Sequence, residues 1–123
     1  MPSTPISVQG ETIAAGAELT RTFESSSRFA AFQVSVIDGG ADAIDVYLEG
    51  RLASFMPWSN VDEPDGTSGD PKDIRGIPPW VNLSPGDARG PTDVDVPAVP
   101  EVRVRVENTG SSEATVALVA RSY

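Results

Sequence analysis

Arg28-Phe29-Ala30-Ala31-Phe32-Gln33-Val34-Ser35-Val36-Ile37 is the stretch that decides the fold. Phe32, Val34 and Val36 fall on one side of an extended chain and Gln33 and Ser35 on the other, the period-two alternation of a half-buried strand. Asp38-Gly39-Gly40 follows, with residues tolerant of positive φ. Ile44, Val46 and Leu48 then alternate with Asp45, Tyr47 and Glu49, so the two stretches read as a hairpin.

The same period runs outward in both directions. Towards the N-terminus, Leu19 to Phe23 alternates, and Ile6-Ser7-Val8 and Glu11 to Ala15 read as two short strands separated by Gly10. Towards the C-terminus, Val102, Val104 and Val106 alternate with Arg103, Arg105 and Glu107. Asn108-Thr109-Gly110-Ser111 then turns the chain into Glu113 to Arg121, which reads as a second hairpin. On that last strand Ala114, Val116, Leu118 and Ala120 share one face, while Thr115, Ala117 and Val119 make a second face apolar enough to be covered. No window carries apolar residues at helical spacing. The expectation is an all-β chain: one antiparallel β-sandwich of jelly-roll type over residues 1–123. Its core is led by Phe32, Val34, Val36, Ile44, Val46, Leu48, Val102, Val104, Val106, Val116 and Leu118.

Residues 57–100 interrupt the pattern, with nine of the eleven prolines and five of the eleven glycines. Proline removes ladder donors, so this segment is expected to be an irregular Pro/Gly/Asp-rich insert. Ile74 to Leu83 is an apolar island within it that is expected to pack back on the sandwich, leaving Asp62 to Asp73 as an exposed lobe.

The 123 residues fit one domain of the common size. Having neither cysteine nor histidine, the chain excludes disulfides, thiolate zinc sites, cysteine nucleophiles, imidazole bases and Ser-His-Asp triads. With no Gly-rich phosphate loop either, a non-enzymatic protein is expected. No run approaches the ~18 apolar residues of a membrane span, and Met1-Pro2-Ser3-Thr4-Pro5 has neither the basic nor the apolar region of a secretory leader. Eighteen acidic residues against nine basic ones give a net charge of −9, which repels phosphate backbones and anionic lipid, so neither nucleic acid nor membrane is an expected partner. Lys72 is the only lysine. That balance resembles salt-adapted, haloarchaeal proteins, in which a dense carboxylate surface is screened by molar salt; an ordinary acidic domain of chance composition is the alternative.

Three constellations stand out. Asp62, Asp65 and Asp70 lie in the densest acidic run, whose glycines and oxygen donors make it a candidate site for Ca²⁺ or another cation. Pro64 stands where an EF-hand needs its second ligand, and a solvated acidic loop turning at Asp65-Gly66 is the plainer reading. Tyr47, Trp58 and Trp80 offer flat rings for stacking on a glycan, although core or interface packing is the commoner use of such residues. Arg103 and Arg105 share a strand face, where cross-strand pairing with Glu113 or other acids is expected. Trp58, Ile77, Trp80, Val81 and Val119 are the candidate interface residues.

Several of these stretches, Leu19 to Phe23, Phe29 to Val36, Ile44 to Gly50 and Val102-Arg103-Val104-Arg105-Val106-Glu107-Asn108-Thr109-Gly110, together resemble the small β-sandwich virion proteins of tailed phages. In those proteins a V-x-V-x-x-x-G-S-x-D-G-x-x-W strand and turn precedes a V-R-V-x-V-x-N-T-G strand. Gly50 and Trp58 stand near the matching places, whereas Arg51-Leu52-Ala53-Ser54 replaces the S-x-D-G turn. The likeness covers roughly two-thirds of the chain, in patterns that other sandwiches share. It implies a capsid decoration, turret or neck/tail subunit of a haloarchaeal tailed virus, made in the host cytoplasm and resident in the virion. Its expected partners are viral capsid or other virion proteins and further copies of itself. The alternative is a carbohydrate- or receptor-binding β-sandwich module with a glycan receptor.

Overall fold

The computed structural model describes residues 6–24, 29–60, 79–95 and 101–122. Among them all regular structure is strand: β1 (Ile6–Ile13), β2 (Glu18–Glu24), β3 (Phe29–Asp38), β4 (Ile44–Arg51), β5 (Ser59–Asn60), β6 (Trp80–Leu83), β7 (Ala88–Asp95), β8 (Glu101–Asn108) and β9 (Ala114–Ser122). No helix among the described residues is long and apolar enough to cross a membrane. The strands form two antiparallel sheets. The first has the order β1-β9-β3-β7; the second has the order β2-β8-β4, with β5 and β6 sharing the free edge of β4.

The alternation seen in the sequence sorts side chains as expected. Val34, Val36, Val116 and Leu118 of the first sheet and Ile44, Val46, Leu48, Val102, Val104 and Val106 of the second are buried in one shared cluster, giving a sandwich-like all-β architecture. Burying each such side chain contributes about 1.5–3 kcal/mol relative to leaving it in water. The side chain of Phe32 lies outside the described set.

The expected hairpins do not form. β3 and β4 lie in different sheets, as do β8 and β9, so each connection crosses from one sheet to the other. Alternation specifies which face a strand buries and leaves its partner open. Gly39 makes the first crossing possible: its φ is 141°, and a Cβ there would come within 2.9 Å of the Ala114 Cβ.

The two N-terminal stretches are one strand. Its register slips between Gln9 and Glu11, with Gly10 at φ 104°. That one-residue bulge lets Val8 and Ile13, five positions apart, both face the core.

Residues 57–100 are also more regular than their prolines suggest, since β5, β6 and β7 all lie there. Pro91 is tolerated because β7 is an edge strand, and because Gly90-Pro91 falls at a register slip against Phe32 and Val34. Pro85 and Gly86 occupy the turn closed by Asp87 N–H donating to the Ser84 carbonyl at 2.9 Å.

Candidate interaction surfaces

β8 alternates valine inward with Arg103, Arg105 and Glu107 outward, and β4 does the same with Tyr47 and Glu49. In the β4–β8 register Tyr47 faces Arg105, Glu49 faces Arg103 and Arg51 faces Glu101, so opposite charges meet across the strands. Arg103 Nε and Arg105 Nε both donate to Glu49 Oε1, at 2.8 and 3.2 Å. Arg105 Nη1 also donates to Glu107 at 3.0 Å and to Glu18 at 3.3 Å, and Arg51 Nε donates to Glu101 at 2.9 Å. Glu49, only 6% exposed, is the hub.

Guanidinium groups also stack on both aromatic rings of this face. Arg105 lies 4.2 Å from the Tyr47 ring centre, and Arg51 and Arg103 lie 4.2 and 4.5 Å from that of Trp58. Burial disfavours the Arg105 charge, but Glu49, Glu107 and Glu18 outweigh it and hold its pKa above the ordinary arginine value. The Tyr47 phenol is raised too, first by burial and then by Asp45 and Glu107, against the opposing pull of Arg105. The expected cross-strand pairing of Arg103 and Arg105 is therefore present, with Glu49 of β4 and Glu18 of β2 as the acids, while Glu107 pairs with Arg105 along β8 itself. The face is a closed set of charges that anchors Trp58.

Between Arg51 and Trp58 the chain leaves the sheet. Met56 N–H donates to the Ala53 carbonyl at 3.0 Å, closing a turn that leaves Leu52 72%, Phe55 84% and Met56 46% exposed. On the opposite side of the molecule, the outer face of the first sheet carries a shallow hollow of about 420 Å³. Ser7, Gln9, Gln33, Ser35, Ala117 and Val119 contribute to its lining, and no charged residue does.

The candidate residues separate accordingly. Trp58 lies half-buried on the arginine face, Val119 lies in the hollow at 39% exposure, and Val81 is half-buried on β6. Trp80 is a correction: it is fully buried, paired in register with Val46 and enclosed in the core, so it is neither a surface anchor nor part of a platform with Tyr47 and Trp58. Its place in a proline-rich stretch hid the strand that carries it inward. Ile77, Asp62, Asp65 and Asp70 lie outside the described residues. Among the described residues no group of three or more His, Cys, Asp or Glu is placed to hold a metal ion.

No protein-family model matches the chain, and no curated protein matches it significantly.

Sequence reasoning missed Leu52, Phe55 and Met56 as a surface feature. The signal was available: Leu52-Ala53-Ser54-Phe55-Met56-Pro57 is an uncharged, largely apolar run without the alternation of a strand.

Proposed function

We propose that the chain is a non-enzymatic structural subunit that assembles through protein–protein contacts, a capsid decoration or turret component of a salt-adapted tailed virus. One observation carries the assembly reading: on a chain of net charge −9, Leu52, Phe55 and Met56 stand together in solvent on an uncharged loop. Exposed apolar clusters of this kind mark association sites. The virion setting is supported by the resemblance of the strand motifs and by the strand order. The orders β1-β9-β3-β7 and β2-β8-β4 followed by β5 and β6 fit a jelly roll, an architecture used by viral capsid and lectin domains. The test is mass spectrometry of particles banded in a density gradient from the producing culture. The reading expects the chain in the particle band at a fixed ratio to the main capsid protein; its confinement to the cleared extract overturns it.

A glycan-binding module is the second reading, favoured by Tyr47 and Trp58 standing on one sheet face. The guanidinium groups already stacked on both rings weigh against it. A glycan panel that leaves tryptophan emission unchanged removes it.

A further inference from the structure

We propose that Leu52, Phe55 and Met56 form a knob that seats in the hollow on the outer face of the first sheet of a second copy of the chain. The proposal rests on the assembly reading and names its surfaces and partner.

Size and chemistry agree. A dry cavity of about 150 Å³ accepts a benzene ring, so a hollow of about 420 Å³ has room for the Phe55 ring together with a neighbouring Leu52 or Met56 side chain. Ala117 and Val119 supply the hollow's outward apolar side chains, whereas Val8 and Leu118, which also line it, turn theirs into the core.

A second copy meets least charge repulsion where knob and hollow, both uncharged, come together. Two chains of −9 repel one another over most of their surface. Residues 52–57 carry no charge, and neither do the residues lining the hollow. A contact made through the outer face of the second sheet would instead bury Glu49, Arg51, Arg103 and Arg105, which already satisfy one another or Glu101.

Geometry makes the contact intermolecular. Arg51 and Trp58 bracket the loop and stack on the outer side of the second sheet. The hollow is on the far side of the first sheet, and packed sheets are themselves about 10 Å apart. A chain therefore cannot fill its own hollow with its own knob. Knob and hollow are different surfaces, so the contact is head-to-tail, and repetition gives a ring if the rotation closes and a filament if it does not.

The test uses Phe55→Asp and Val119→Arg, both at exposed positions, with Gln33→Arg as a second hollow variant and thermal melts to confirm folding. Mass is read by light scattering in multi-molar salt. The expected results are an oligomer for the wild type, a monomer for each variant alone, and a 1:1 dimer when Phe55→Asp and Val119→Arg are mixed, since that mixture retains one intact knob and one intact hollow. The chain has no native cysteine, so oxidation of the Ser54→Cys/Val119→Cys double variant should link neighbours covalently. An oligomer that survives both Phe55→Asp and the hollow variants overturns the pairing and leaves the assembly reading standing. A cross-link formed within one chain, or a mixture that stays monomeric, also overturns the pairing. A wild type that is monomeric throughout overturns the assembly reading with it.

Discussion

Asn108 Nδ2, on β8 of the second sheet, donates at 3.0 Å to the carbonyl of Ile13, on β1 of the first. The same amide reaches the Ser112 carbonyl at 2.9 Å, and Asn108 Oδ1 accepts from Gly110 N–H at 3.0 Å. Its backbone exchanges hydrogen bonds with the β1–β2 turn, donating to Ala17 and accepting from Gly16. One fully buried side chain thus ties two crossings to each other at one end of the molecule, and Thr109 extends the tie to the Ala43 carbonyl.

Asn108→Asp conserves the shape and replaces the donor with a carboxylate facing carbonyl oxygens. The expected loss is about 3–5 kcal/mol of unfolding free energy, measured by denaturant titration at neutral pH. A loss under about 1 kcal/mol would contradict the role given to this side chain.

Glu49→Gln keeps the volume of the hub and removes the charge that two guanidinium groups share. It is expected to cost about 1–3 kcal/mol and to shift Trp58 emission as Arg103 loosens beneath the ring. Because Glu49 is buried, that cost persists in molar salt. Glu11→Gln is the contrast: the Arg21–Glu11 pair has side chains 39% and 44% exposed, so its smaller contribution fades as salt rises. Equal salt dependence of the two losses would argue against the hub.

Tyr47 gives the fold a limit on the alkaline side. Its pKa is raised in the folded chain, so its contribution is complete below the unfolded value near 10 and is lost as pH rises through the folded value. Denaturation midpoints followed from pH 9 upward are expected to fall more steeply for the wild type than for Tyr47→Phe. Parallel curves would show that the phenol is as free in the fold as in the unfolded chain.

Gly39→Ala is expected to destabilise by about 2–4 kcal/mol, combining an unfavourable positive φ with a clash on Ala114. Gly16 also has positive φ, at 74°, but a Cβ there meets nothing within 4 Å. Gly16→Ala should therefore cost only the backbone term, about 1 kcal/mol. The difference between the two melts separates close approach from conformation.

What was legible in the sequence was the inward set. Val102, Val104 and Val106 against Arg103, Arg105 and Glu107 declare both faces of β8 without any partner being known. Pairing was not legible, because Asp38-Gly39-Gly40 and Asn108-Thr109-Gly110 have the chemistry of a hairpin turn and equally of a crossing between sheets. Pro91 concealed β7, since a proline is compatible with a strand only at an edge or a bulge, and edges exist only once the sheet is assembled. The surface was legible in part. Val119 was singled out by its apolar outer face and does lie in the hollow, whereas Trp80 resembled Trp58 in composition and went to the core. Glu49 was indistinguishable from other acids until Arg103 and Arg105 were placed around it.

Light scattering on the untagged wild-type chain, at low and at multi-molar salt, bears most directly on assembly. Salt screens the repulsion between copies of net charge −9 and strengthens apolar contact, so a discrete oligomer is expected to form or persist as salt rises. A folded monomer at every salt and protein concentration would contradict assembly through the exposed Leu52, Phe55 and Met56.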